Sequence, residues 1–222
     1  MERTLKVTGK GKISVKPDTI RVIITQSDII QVYEDAISES AEMKNALSRS
    51  LAELGFEKDA LKTLHYDVNT EYESRQDESG YWKQRFAGYR YTHRMKLDFP
   101  SDSDRLGKVL AAAAECPGQP EFSIQYTISD PEAAKNELLF KAVEDSKVKA
   151  AVLSKAAGVE LKEIITIDYS WGEIDLVTKP VSLMMARDCN GAASKRESSV
   201  GLDIEAEDID VTDTVTVVWS IG

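Results

Sequence analysis

The chain predicts an α+β fold, with two long helices and one short helix packed on a mainly antiparallel sheet. Three observations carry this. Leu139, Ala142, Val143, Ser146, Ala150, Leu153 and Ala157 recur at three- and four-residue steps, one apolar stripe between Asp130-Pro131 and Gly158. Alternating segments rich in β-branched and aromatic residues fill most of the remaining chain. Finally, Leu54-Gly55 followed by a strand from Leu61 is echoed by Ala157-Gly158 followed by a strand from Leu161. Each half then reads strand, long helix, glycine stop, strand, strand, and helices on one side of antiparallel strands give α+β.

In order, Leu5, Val7, Ile13 and Val15 mark the first strand, with Gly9-Lys10-Gly11 expected as a bulge or bend at a sheet edge. Pro17-Asp18 turns the chain, and Ile20, Val22 and Ile24 form the next strand. A helix follows within about 32–54, striped by Ile37, Ala41, Leu47, Leu51 and Leu54 and stopped by Gly55. Its outer face carries Glu34, Asp35, Glu39, Glu42 and Glu53, a solvated surface. Strands over 61–72 and 86–99 make a long hairpin whose polar, mobile tip at 73–80 is a candidate for contacts between subunits.

Pro100 ends the hairpin, and Ser101 to Asp104 cap a short helix through Leu106, Val109, Leu110 and Ala113. Phe122, Ile124, Tyr126 and Ile128 alternate as a strand before Asp130 and Pro131 start the long helix in N-cap and N1 positions. Over 27 residues that helix would run about 40 Å. Ile164 to Tyr169 is then a β-branched run, Trp171 to Glu197 reads as a loop with short extended pieces, and Val211, Val215, Val217, Trp219 and Ile221 form the last strand. Residues 1–222 read as a single domain of two halves, about 1–100 and 121–222, joined by the short helix over 102–115.

At 42% hydrophobic and 30% charged, the composition is that of a soluble globular protein with a real core. A net charge of −10 argues against general nucleic-acid binding, which needs clustered cations. The longest apolar run, Val109 to Ala114, falls far short of the roughly 20 residues that span a bilayer. Met1 to Val7 lacks the apolar core of a secretory leader, so the expected location is cytoplasmic, or periplasmic or exported if a leader has been removed. Cys116 and Cys189 fit no zinc or redox spacing and read as buried or idle thiols that pair only if the fold joins them.

No catalytic constellation, cofactor motif or metal spacing emerges. Gly9-Lys10-Gly11 is no phosphate loop, and neither GxSxG nor HExxH occurs. His65 and His93 can face each other across the hairpin, a pair too small for a metal site. Asp203, Glu205, Glu207, Asp208, Asp210 and Asp213 lack the central glycine of a calcium loop and read as a solvated approach, balanced by Arg90, Arg94 or Lys96 on a neighbouring strand. One rival reading is a single-stranded RNA-binding module. The order β-α-β-β-α-β over 20–128 fits, with Tyr89, Arg90, Tyr91 and Arg94 on the third strand, although Ala87 stands before Gly88 where a basic residue would be wanted.

Taken together, Val7-Thr8-Gly9-Lys10-Gly11 with Pro17-Asp18, the Leu54-Gly55 stop, Gly88-Tyr89 and the helix Ala142–Ala150 with Gly158 behind it resemble the SIMPL domain family from Leu5 to Ile221. That group includes bacterial periplasmic immunogens, proteins linked to oxidative-stress defence and animal signalling adaptors. The sequence departs from many relatives in lacking an export leader and in Ser146, where alanine is more usual. The resemblance implies a non-enzymatic oligomeric assembly or protein-binding domain linked to stress defence, with no cofactor and no catalytic residue. Its implied partners are further copies of itself or an unknown protein, with no nucleic acid and no membrane span. The candidate interaction surface is Tyr81, Trp82, Tyr89, Arg90, Tyr91 and Arg94.

Overall fold

Alternation becomes strand and the apolar stripes become helix along nearly the whole chain. The computed structural model describes residues 3–77, 79–118, 120–169, 174–182 and 206–222. The elements are β1 (Thr4–Val15), β2 (Thr19–Ile30), α1 (Tyr33–Glu53), β3 (Leu61–Gln76), β4 (Trp82–Pro100), α2 (Ser103–Ala114), β5 (Glu121–Thr127), α3 (Pro131–Ala157), β6 (Leu161–Asp168), β7 (Val181–Ser182) and β8 (Ile209–Ile221). This is the expected α+β class with antiparallel strands. In place of one shared sheet there are two, ordered β1-β8-β6 and β3-β4-β2-β5-β7. Two compact units follow. One is built from the described residues of Met1–Asp18, Thr127–Thr178 and Ala206–Gly222, the other from those of Thr19–Tyr126 and Lys179–Glu205. Trp171, Gly172, Cys189, Asn190-Gly191, the cluster at 195–197, Asp203 and Glu205 lie outside the described residues.

In the first unit α3 lies on β1 and β8. Its buried row is Ala134, Leu138, Ala142, Ser146, Ala150 and Ser154, strictly every fourth residue. Leu153 and Ala157, expected inside, are exposed. A row of small residues every fourth position lets a helix backbone come close to its support, and the support has matching gaps. Gly9 and Gly11 do not form a bulge, because β1 pairs with β8 without interruption from Thr4 to Val15. They are glycines because α3 is there. A Cβ on Gly9 would overlap the Ala142 carbonyl oxygen and lie 2.6 Å from the Ser146 nitrogen, and one on Gly11 would overlap the Leu138 carbonyl oxygen. Ser146 satisfies its own buried hydroxyl by donating to the Val143 carbonyl at 2.6 Å. Around this seam Val7, Val215, Val217 and Trp219 form one apolar cluster, and Ile13, Leu138, Leu176 and Val211 belong to another.

The outer strands of this sheet are guarded. On β1 the Lys10 N–H donates to Asp145 at 2.7 Å, and Lys149, paired with Asp145 at 2.7 Å, donates to the Thr8 carbonyl. On β6 two register shifts, between Leu161 and Ile164 and between Ile164 and Thr166, break the ladder. The acidic approach to β8 is balanced differently from expectation. Asp210 meets Lys12 at 3.4 Å, whereas Arg90, Arg94 and Lys96 belong to the other sheet.

In the second unit α1 buries Ala36, Ser40, Leu47 and Leu51, while Ile37 and Ala41, expected inside, are exposed. Both long helices end in the same cap. Phe56 N–H reaches the Leu51 carbonyl while Gly55 reaches Ala52, and Val159 reaches Ser154 while Gly158 reaches Lys155. These are Schellman closures with glycine in the left-handed region, φ 81° and 68°. Asp102 caps α2 through the Arg105 N–H, and the Arg105 guanidinium stacks 4.1 Å over the Phe56 ring. Cys116 is buried, its thiol donating to the Ala112 carbonyl.

The two kinds of glycine make a testable contrast. Gly55→Ala meets open space and suffers only the left-handed backbone, about 1 kcal/mol. Gly9→Ala, in ordinary extended backbone, must push α3 off β1 and is expected to cost about 3 kcal/mol. Urea midpoints of the two variants give the ranking.

Candidate interaction surface on the long hairpin

Hairpin β3–β4 is longer than expected. Glu73 to Gln76, placed in a mobile tip by sequence, pair with Trp82 to Arg85 in a continuing ladder. The turn is closed by Asp77, whose carboxylate accepts from the Ser79 and Tyr81 N–H groups and pairs with Lys83 at 2.8 Å. From Tyr89 to Pro100, β4 also pairs with β2. Beyond that point, among the described residues, only β3 accompanies it. The departure is marked by Gly88, at φ 143°, where a Cβ would lie 2.6 Å from the Ile30 carbonyl oxygen. A register shift between Glu71 and Tyr72 sits opposite, and Gln31 holds the Ala87 carbonyl.

The register gives the outer ribbon two unlike faces. Tyr72 pairs with Phe86, Ser74 with Gln84 and Gln76 with Trp82, all on one side and all uncharged. Glu73 pairs with Arg85 and Arg75 with Lys83 on the other. Gln84 confirms the first face by donating to the Ser74 hydroxyl at 2.9 Å. A chain of edge-to-face rings runs outward along it: Tyr33 to Tyr89 at 5.4 Å, Tyr89 to Phe86 at 5.3 Å, and Phe86 to Tyr72 at 5.9 Å. Beyond α1 the rings lose their cover, and Trp82 is 71% exposed.

The expected surface residues divide accordingly. Tyr81, at the turn, is 72% exposed and Trp82 lies on the aromatic face, while Tyr89 is half-buried. Tyr91 must be withdrawn, because it is 1% exposed in the core beneath α1 and desolvation pushes its phenol pKa up to about 12. Arg90 and Arg94 alternate onto the opposite face, where Arg90 pairs with Glu71 at 3.1 Å and its pKa is raised by that bond. Tyr72, Phe86 and Tyr33 belong to the same chain of rings and stand outside the expected set. Charges at 73, 75, 83 and 85, every second residue on both sides of the turn, were the signal that the ladder continued.

The histidines do not face each other. Thr63 pairs with Met95, so a regular ladder would bring His65 opposite His93. The shift at Leu64 instead sets His65 opposite Arg94 and Tyr66 opposite His93. His93 is buried between hydroxyls, with Thr63 2.8 Å from Nε2 and Ser40 3.5 Å from Nδ1. The hydroxyl–imidazole pair offers no path to a substrate, since Ser40 is 1% exposed. On the sheet's other face Asp98 takes both Arg21 nitrogens at 2.8 and 2.9 Å and Lys96 at 3.2 Å. Burial works against the Asp98 carboxylate, and these cations overcome it and hold its pKa low. The shallow hollow of about 350 Å³ beside it is lined by Glu57, Asp59, Lys62, Lys96 and Asp98, and Lys62 is already tied to Asp59 at 3.0 Å.

Desolvation, then the Lys44 cation, lowers the His93 pKa below its ordinary 6.5. The unfolded chain therefore binds a proton that the folded one refuses, and stability falls as pH drops below about 6.5. Chemical denaturation between pH 7.5 and about 5 is expected to show that loss, and His93→Gln to flatten it.

Among the described residues no helix is long and apolar enough to cross a membrane. No curated protein matches the chain. A family model, SIMPL, described as a protein of unknown function (DUF541), matches residues 5–219 of the 222. With nearly its full length covered, the chain belongs to the SIMPL family.

Proposed function

We propose that the protein is a non-enzymatic assembly or binding domain whose contact surface is the outer ribbon of the β3–β4 hairpin. One observation carries this reading: Tyr72, Trp82 and Phe86 stand uncovered on a face with no charge, on a strand pair that leaves its sheet. An isolated two-stranded ribbon is marginal in water, and exposed apolar patches of this kind mark places where another molecule sits. The charged opposite face keeps the ribbon soluble until it is covered. RNA stacking would need Tyr89 and Tyr91 free on one platform with Arg90 and Arg94. Tyr91 is buried, and the arginines lie on the other face.

Light scattering at tens of micromolar tests the reading, with an assembly larger than one chain expected. Truncating a single aromatic anchor costs about 2 kcal/mol of association, about thirty-fold. Trp82→Ser with Phe86→Ser should therefore weaken association measurably while leaving the unfolding midpoint of the core in place. A strictly monomeric wild type that also captures no protein through this ribbon would end the proposal.

A further inference from the structure

Ribbon β3–β4 from Tyr72 to Phe86 has two free edges among the described residues, and they are not equivalent. If the β4 edge met its own copy antiparallel about Gln84, Lys83 would stand opposite Arg85 twice over. Like charges directly opposite destabilise a sheet, so that edge rejects itself. The β3 edge does the reverse. Paired antiparallel about Ser74, Glu73 of one copy faces Arg75 of the second and Arg75 faces Glu73, while Tyr72 faces Gln76. Inside its own hairpin Arg75 stands opposite Lys83, a repulsive pair, and Lys83 is drawn aside to Asp77 at 2.8 Å. A glutamate arriving on the far side of Arg75 gives that cation the partner it lacks across the ribbon.

We propose, resting on the reading of the ribbon as a contact surface, that its occupant is a second copy of this chain, joined edge to edge along β3 about a two-fold axis at Ser74. The product is a four-stranded antiparallel ribbon. One face gathers Tyr72, Trp82 and Phe86 from both copies into a continuous uncharged surface, which a two-stranded hairpin cannot provide. The stretch Tyr72–Gln76 suits the task because it is regular, lying between the shift at Glu71 and the turn at Asp77. Among the described residues, both edges of the three-stranded sheet are defended: β1 by Asp145 and Lys149, β6 by its two register shifts.

Ser74→Cys tests the register, because the axis places this residue opposite itself, at a Cα separation of about 5 Å that a disulfide accepts. Under mild oxidation Ser74→Cys is expected to give a covalent dimer that dithiothreitol reverses. Gln84→Cys on the other strand and the wild type, with Cys116 and Cys189 in place, should not. Arg75→Glu supplies the second measurement. It relieves the Lys83 repulsion within its own ribbon yet sets the new carboxylate against Glu73 of the second copy, so association should weaken about ten-fold. Glu73→Arg combined with Arg75→Glu should restore it. Assembly by light scattering without a Ser74→Cys crosslink, or crosslinking by Gln84→Cys to the same extent, overturns the register and leaves the contact surface standing. A chain that stays single at every concentration overturns the second copy as occupant, and it overturns the contact surface as well when the ribbon also captures no protein.

Discussion

The close seating of α3 on β1 is the constraint from which the first unit follows. A helix axis normally keeps its distance from a sheet because side chains intervene. Here the intervening side chains are removed on both sides, by Gly9 and Gly11 on the strand and by Ala142 and Ser146 on the helix. Backbone lies almost on backbone, and dispersion between well-fitted atoms replaces the burial of large residues. The large apolar residues are displaced to the flanks of the seam, with Trp219, Val215 and Val217 toward one end and Ile13, Leu138 and Val211 toward the other. The arrangement tolerates little change of volume at its centre, since neither backbone can retreat without opening the seam.

The second unit is organised by a different economy. Its helix α1 covers only part of a very long hairpin, and everything distinctive about the surface follows from where that cover stops. Tyr91, Met95 and Leu97 lie beneath it and are buried, whereas the same alternation carried outward to Phe86 and Trp82 leaves rings in the open. Edge-to-face contacts partly compensate by packing each ring against the next. A row of mutually supported rings is stiffer than scattered exposed ones, which would lower the ordering cost of the contact proposed for it.

Much of this is legible in the sequence. The α+β class, the three helices, the glycine stops and nearly every strand follow from periodicity. What escaped is instructive. Two glycines in a strand signal either a bulge or a close neighbour, and only the position of α3 decides between them. Residues Leu153 and Ile37 sit at plausible helical spacing yet face out, because α3 buries a strict every-fourth row, α1 buries Ala36, Ser40, Leu47 and Leu51, and neither residue falls on those rows. One extra residue at Leu64 separates two histidines that a regular ladder would have joined, and no side chain announces it. For the proposed contact surface, Trp82 and Tyr81 are readable as aromatics near a turn. Tyr91 was not separable from them, because alternation tells which residues share a face and not how far the covering helix extends.

The Asp145–Lys149 pair on α3 has a consequence for growth. A carboxylate and an ammonium group borrowed from a helix plug the donor of Lys10 and the acceptor of Thr8, so a foreign strand arriving there finds its docking points already taken. The same helix that welds this sheet together also seals its rim, and a body finished on that flank can enlarge only from some other place.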